Sequence, residues 1–304
     1  MNEIAIKLTG VSFKQYYNLC KPKVVLLIVF TAIVGMLLST PGALPLDTFL
    51  AATLGIGLAS ASGAALNHWV DQRIDSIMER TQNRPLPQGQ LSSNAALIFA
   101  LSLAVISMAI LLAFVNPLTT LLTLISLVGY AVIYTMFLKR STPQNIVLGG
   151  AAGAAPPLLG WAAMTGEVNA EALLLFLIIF VWTPPHFWAL AIKRKDEYAR
   201  AGLPMLPVTH GVVFTKLHIL LYTLMLVAVT LMPFVIYMTG LIYLAGAVAL
   251  GIGFLYHAVK LYNTGSSDRH AMKTFGYSIF YLSALFGFLL LDHYARVFFR
   301  GVFL

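Results

Sequence analysis

Long apolar runs alternate with short polar segments along the whole chain. At 1.5 Å of rise per residue, each run is long enough for a helix to cross about 30 Å of hydrocarbon. The pattern puts nine such runs at roughly 24 to 40, 47 to 67, 93 to 114, 117 to 137, 144 to 163, 171 to 192, 214 to 238, 240 to 261 and 276 to 299. Backbone groups inside a bilayer find no water, so these spans must be helical. The predicted fold is an all-α, polytopic membrane protein with nine transmembrane helices. No linker or low-complexity tract divides it, so residues 1–304 read as a single domain with 1–20 as a cytoplasmic N-terminal segment.

Composition agrees. Hydrophobic residues make up 59% of the 304, charged residues 10%, and the mean hydropathy is +0.85, which excludes a soluble domain. The cations give orientation. Every Lys and Arg except Arg296 and Arg300 falls on one side of the predicted spans, while the connections near Pro41, Asn116, Glu167 and Thr239 carry none. Positive charge in short loops stays cytoplasmic, so the N-terminus is expected in the cytoplasm and the C-terminus in the periplasm. The net charge of +8 reports this topology and contact with anionic lipid or substrate, and no soluble basic domain points to nucleic acid. The first 20 residues show neither a cleavable signal nor a transit-peptide bias, so a bacterial inner membrane fits. Cys20 is the single cysteine and cannot form an internal disulfide.

Candidate chemistry is concentrated where the second run ends. Asn67, Asp71 and Asp75 recur every fourth residue, which on a helix aligns three oxygen-bearing side chains. Oxygen donors suit Mg²⁺, whereas zinc calls for clustered Cys and His, which are missing here. The same residues could simply solvate a helix end and pair with Arg73, Arg80 or Arg84. Against that, the whole chain has only 11 acidic residues, and a loop that spends three of them at this spacing is better explained by function.

A second polar loop, Lys193 to Tyr198 and on through Arg200 to Pro207, offers Asp196 as a metal ligand and Lys193, Lys195 and Arg200 as partners for phosphate. Positive-inside anchoring explains those cations but leaves Asp196 unexplained. Between the two loops, Lys139 and Arg140 could clamp phosphate, and Tyr134, one turn earlier, could face a carbocation. Both also suit an interfacial anchor. The first loop is echoed by the second: Asn67, Trp69, Asp71, Arg84 and Pro85-Leu86-Pro87 against His186, Trp188, Asp196, Arg200 and Leu203 to Pro207, as in two facing helix–loop units. Gly149 and Gly153 form a small-xxx-small pair, and Pro156-Pro157 and Pro184-Pro185 fall inside spans and should shape the helices. Of seven histidines, His186 is the best candidate to face a cavity, followed by His68 and His210.

These residues together resemble the UbiA superfamily of intramembrane prenyltransferases, over nearly the whole chain from Lys21-Pro22-Lys23 to the final span. The carriers are Asn67-x-x-x-Asp71-x-x-x-Asp75, continuing to Met78-x-Arg80-Thr81-x-x-Arg84-Pro85-Leu86, and Leu138-Lys139-Arg140-x-Thr142-Pro143-Gln144-Asn145-Ile146. Two further stretches, Gly149 to Trp161 and Pro184 to Pro207, are similar to the haem branch of that superfamily. The resemblance implies a UbiA-type bundle, Mg²⁺ as cofactor, and transfer of a farnesyl group from farnesyl diphosphate to a vinyl group of haem B, yielding haem O for terminal oxidase assembly. It implies Asn67, Asp71 and Asp75 as metal ligands, with Asp196 at a second site. Asp71, Asp75, Asn67, Lys139 and Tyr134 would be catalytic. Arg80, Arg84, Lys139, Arg140, Lys193, Lys195 and Arg200 would bind diphosphate, and His186, Trp188 and His68 would hold haem. Membrane lipid surrounds such an enzyme, and a haem A synthase or oxidase assembly factors would receive the product. One departure is that many members carry a second DxxxD, whereas the position four beyond Asp196 is Arg200; another is Lys23, where arginine is frequent. The competing readings are the same chemistry on an aromatic quinone precursor, and a secondary transporter, which the edge location of the charges disfavours.

Overall fold

The computed structural model describes residues 13–40 and 42–302, with side chains as far as Phe298. Residues 1–12, with Lys7, lie outside the described residues, as do Pro41 and the side chain of Arg300. All nine expected spans are present, with ends displaced by a few residues: α1 (Pro22–Ser39), α2 (Leu46–Val70), α3 (Ser93–Phe114), α4 (Pro117–Ser141), α5 (Asn145–Thr165), α6 (Ala170–Lys193), α7 (Gly211–Val235), α8 (Leu241–Tyr262) and α9 (Ala271–Phe298).

Consecutive helices pack side by side around a ring. The ring closes because α9 returns to α1, and α6 touches α5, α7 and α9. Hydropathy follows position: α3 is the most apolar span at 2.8 and only 17% buried, whereas α5, at 1.4, is 67% buried. Lipid is as apolar as any core, so an outer helix can be uniformly greasy, and inner helices meet through small and polar groups.

The closest approach joins α1 and α5. A Cβ on Gly35 would fall on the carbonyl oxygen of Pro157, and one on Gly160 on that of Ala32. The expected small-residue pair behaves differently. Gly149 makes room for the Tyr134 ring, and Gly153 has open space where its Cβ would be. Of the two proline pairs, Pro156-Pro157 divides α5 into Asn145–Ala154 and Pro156–Thr165, while α6 runs unbroken through Pro184 and Pro185. Pro156 has no N–H to offer the Ala152 carbonyl, which takes a hydrogen bond from Ser126 Oγ at 3.2 Å instead.

On the cation-rich face the two polar loops share one core. Met78 of the α2–α3 loop is buried with Tyr198, Leu203 and Met205 of the α6–α7 loop, and Arg200 pairs with Glu79 at 3.3 Å. The α8–α9 loop is tied down by the buried Lys216, whose ammonium donates to Thr264 Oγ1 (2.5 Å), Gly265 O (2.8 Å) and Ser267 O (2.6 Å). On the opposite face, the buried Asp292 accepts from the backbone N–H groups of Gly240 (2.6 Å) and Tyr243 (3.1 Å), capping the start of α8 from another helix. Arg296, a dissenter from the charge rule, donates to Met238 O at 3.0 Å and lies 4.0 Å from Asp292, so it holds this corner together.

Backbone atoms cannot swing aside as side chains can. Gly160→Ala is therefore expected to destabilise the fold by about 1–3 kcal/mol, read as earlier thermal unfolding in detergent, whereas Gly153→Ala leaves the unfolding temperature near that of the parent.

Candidate active site

Asn67 lies in the last turn of α2, and Asp71 closes the helix with its N–H on Asn67 O at 3.0 Å. A short helical turn, Gln72–Asp75, carries the same spacing onward, with Asp75 N–H on Asp71 O at 2.8 Å. The expected stripe is thus present across a helix end, and all three side chains are buried, at 6%, 1% and 3% exposure. Burial at that level makes ionised carboxylates costly unless they are paired.

The pairing comes from three other places in the chain. Lys139 Nζ donates to Asp71 Oδ2 at 2.5 Å, Arg140 approaches Asp71 Oδ1 at 3.8 Å, and Arg84 donates to Asp75 Oδ2 at 2.6 Å. Asn67 joins the sets, giving its Nδ2–H to Asp71 Oδ2 at 2.8 Å and accepting from Lys21 Nζ at 2.6 Å. Lys21 has a left-handed backbone (φ 48°, ψ 60°) directly before Pro22, where proline disfavours the right-handed helical region. Burial, reinforced by Arg84 and Lys139 and opposed by Asp75 and Asp71, brings its ammonium down to about 7. Nothing in its spacing marked it; a lysine before the first helix reads as an ordinary anchor.

Lys139 and Tyr134 owe their positions to an unpredicted feature. Residues Gly129–Leu138 of α4 form a π-helix, whose wider turn sends the Lys139 N–H to Tyr134 O, five residues back. In this register Tyr130 and Tyr134 stack at 5.6 Å, and Thr135 Oγ1, bonded to Tyr130 O at 2.7 Å, lies 3.5 Å from Asn67 Nδ2.

Beside the charge cluster opens a cavity of about 700 Å³ between α1, α2, α4, α5, α6 and α9. Its wall is mostly apolar and aromatic, with Tyr130, Tyr134, Trp182 and Phe275; the cations in it are Lys21 and Lys23. Lys21 therefore belongs to both compartments. His186 is also in the wall, stacked between Trp182 (4.2 Å) and Phe275 (4.5 Å).

Other expected residues lie apart. Trp188 is buried in the loop core against Tyr222, because two positions along a helix turn a side chain to the far face. His68 is buried outside the cavity wall, and neither ring nitrogen has a hydrogen-bond partner among the described residues. Lys193 pairs with Asp268 at 2.7 Å, half exposed. Asp196 is exposed and has no hydrogen-bond or ion-pair partner among the described residues, and Lys195 is only half-buried. Arg80 is exposed; with Arg194 it draws the Tyr198 phenol down against burial, which pushes that group up overall. His210 stacks on Phe214 at the start of α7.

Lys21, Arg84, Lys139 and Arg140 outnumber Asp71 and Asp75, so the cluster carries surplus positive charge suited to a polyanion. Among the described residues no three His, Cys, Asp or Glu side chains come together. The cluster instead offers two carboxylates and an amide, and Asp71 Oδ1 is buried without a hydrogen bond. That donor set fits Mg²⁺, which is commonly held by one or two carboxylates with water and phosphate oxygens.

Comparison with known proteins agrees. The UbiA prenyltransferase family pattern matches residues 28–290. The chain is 66% identical over 286 residues to the protoheme IX farnesyltransferase of Thioalkalivibrio sulfidiphilus, covering 94% of each. It is 62% identical to that of Nitrosococcus oceani, over 93% of this chain and 94% of the relative. Among solved structures, a digeranylgeranylglyceryl phosphate synthase superposes with a TM-score of 0.78 at 19% identity, covering 92% of this chain and 98% of the other. A UbiA homolog from Archaeoglobus fulgidus bound to GPP and Mg²⁺ does so at 0.60 and 16%, covering 90% and 99%. A family match across nearly the whole length, with nine membrane-spanning helices among the described residues and Asp71 and Asp75 buried at one end of them, makes this chain a member of the UbiA prenyltransferase family.

Proposed function

We propose that this protein is a Mg²⁺-dependent farnesyltransferase that joins the farnesyl group of farnesyl diphosphate to a vinyl group of haem B, producing haem O. The observation that carries the reading is the junction at Lys21, where a buried cluster fit for diphosphate opens into an apolar cavity fit for a prenyl chain and a porphyrin. The names of its relatives at 58–66% identity support the acceptor.

Asn67, Asp71 and Asp75 would hold the metal, which when bound supplies positive charge to the leaving diphosphate. Lys139, Arg84, Arg140 and Lys21 stabilise the same oxygens as the allylic C–O bond breaks and its electron pair leaves with diphosphate. Tyr134 and Tyr130 present π-faces to the allylic cation. The apolar wall keeps water from that cation until the vinyl π-bond has captured it. The charge then sits on the carbon beside the porphyrin, and water adds there with loss of a proton to complete the hydroxyethylfarnesyl group. The protein works as a single domain in a bacterial inner membrane, N-terminus in the cytoplasm and C-terminus in the periplasm, and hands haem O to a haem A synthase or to oxidase assembly factors.

Purified protein given haem B, farnesyl diphosphate and Mg²⁺ is expected to form a product with the mass of haem O, and none when EDTA is present. Turnover with a quinone precursor and no haem product would overturn the acceptor.

Asp71→Asn keeps the side chain's shape and removes a charge the metal needs. It is expected to lower turnover by about 10²-fold or more in a protein that stays monodisperse, with Asp196→Asn having a smaller effect. Equal losses would return Asp196 to the metal site.

In a Cys20→Ser background, a membrane-impermeant thiol reagent applied from the periplasm is expected to label Glu167→Cys and to reach Gln88→Cys only after the membrane is broken. The reverse pattern would invert the topology.

A further inference from the structure

His186 is held more firmly than a cavity wall requires. Its ring lies between Trp182 and Phe275, tilted 17° and 23° from them, with Phe187 edge-on. Its Nδ1 lies 2.7 Å from Ser278 Oγ, and that hydroxyl lies 2.6 Å from the Phe275 carbonyl. The Ser278 carbonyl accepts from Trp182 Nε1–H at 2.8 Å, so the stacking partner is itself fixed to the same residue. Ser278 is fully buried.

A serine hydroxyl has one proton to give, and a carbonyl oxygen can only accept. Both short contacts are satisfied together only if Ser278 donates to Phe275 O and accepts from His186 Nδ1–H. The assignment follows from the network, since hydrogens are inferred from it. With the proton on Nδ1, Nε2 carries a lone pair. It finds no hydrogen-bond partner among the described residues, and its ring stands in the wall of the cavity.

We infer that Ser278 is a positioning residue that locks His186 in the Nδ1–H tautomer, so that Nε2 offers its lone pair to the iron of the haem acceptor. This rests on the haem reading above. A neutral imidazole whose second nitrogen is anchored by a hydrogen bond is the form in which histidine binds metals, and the anchor sets ring orientation and basicity. Iron ligation from α6 would fix the porphyrin in the cavity about one axis, leaving its rim to be turned toward the prenyl donor. Because only a bound iron can accept that lone pair, the ligand would favour a metalloporphyrin over a metal-free one.

The test uses the full-length protein titrated with haem B and read by absorption and electron paramagnetic resonance. The parent is expected to give an imidazole-ligated spectrum. His186→Ala should lose it, and added free imidazole should restore it. Ser278→Ala should weaken haem binding by about 10–100-fold, with the ligation signature diminished, while Ser278→Thr, which keeps the hydroxyl, should recover it. An unchanged spectrum in His186→Ala, in a preparation whose parent makes haem O, would overturn the ligand and leave the farnesyltransferase reading standing. An unchanged spectrum and affinity in Ser278→Ala would overturn the tautomer lock alone. A parent that neither binds haem B nor turns it over would overturn the functional reading, and the ligand with it.

Discussion

Two carboxylates buried at the membrane edge are the constraint on which the rest depends. Asp71 and Asp75 are 1% and 3% exposed, and isolated charges at that depth would neutralise or unfold the site. Their partners come from α4 (Lys139, Arg140), from the α2–α3 loop (Arg84) and, through Asn67, from the residue before α1 (Lys21). Satisfying them therefore draws three separated parts of the chain to one point. Removing a single member of a buried pair costs about 3–5 kcal/mol, because the other is left without compensation. This couples the charge cluster to the fold, and the excess of cations keeps it receptive to an anion even after every carboxylate has been answered.

The spans were legible because a bilayer demands length and apolarity, and nothing in the tertiary structure alters that demand. The stripe Asn67, Asp71, Asp75 was legible for a related reason: acids are so few here that their spacing carries information. What could not be read depends on register and on pairs distant in sequence. The π-helix over Gly129–Leu138 has no compositional mark, yet it decides which way Lys139 and Thr135 point. The small-residue contact between α1 and α5 falls to Gly35 and Gly160 and not to the Gly149–Gly153 pair, since a close approach of two helices belongs to neither sequence alone. The resemblance implies Trp188 at the haem beside His186, whereas a helix sends positions two apart to different faces and Trp188 packs on Tyr222 instead. Asp196 looked like a ligand among cations, and the loop that carries it turns it to solvent.

The π-helix and the cavity have a common logic. An α-helical α4 would return the N–H of Lys139 to Thr135 O; the wider turn returns it to Tyr134 O. One local expansion thus sets a cation on Asp71 while keeping two stacked tyrosines in the cavity wall. Gly149 completes the arrangement, since any larger residue would occupy the space of the Tyr134 ring. In the proposed reaction, charge stabilisation of the leaving group and π-stabilisation of the allylic carbon would have opposite needs, one polar and one dry. One π-helical segment would meet both, since it places Lys139 on Asp71 and the stacked tyrosines in the cavity wall.

The same division between polar and dry explains why Lys21 stands where it does. Burial first, then Arg84 and Lys139, bring the Lys21 ammonium down to about 7, and Lys21 is also the member of the cluster that lines the cavity. An arriving diphosphate would relieve the repulsion among the three cations. Under the proposed function, the anion's binding energy would then be spent at the cavity wall instead of out in the loop. In the proposed reaction, a buried ammonium beside Arg84 and Lys139 would favour the anionic end of a prenyl diphosphate over a neutral prenyl alcohol of equal length, which would bring no charge to answer it.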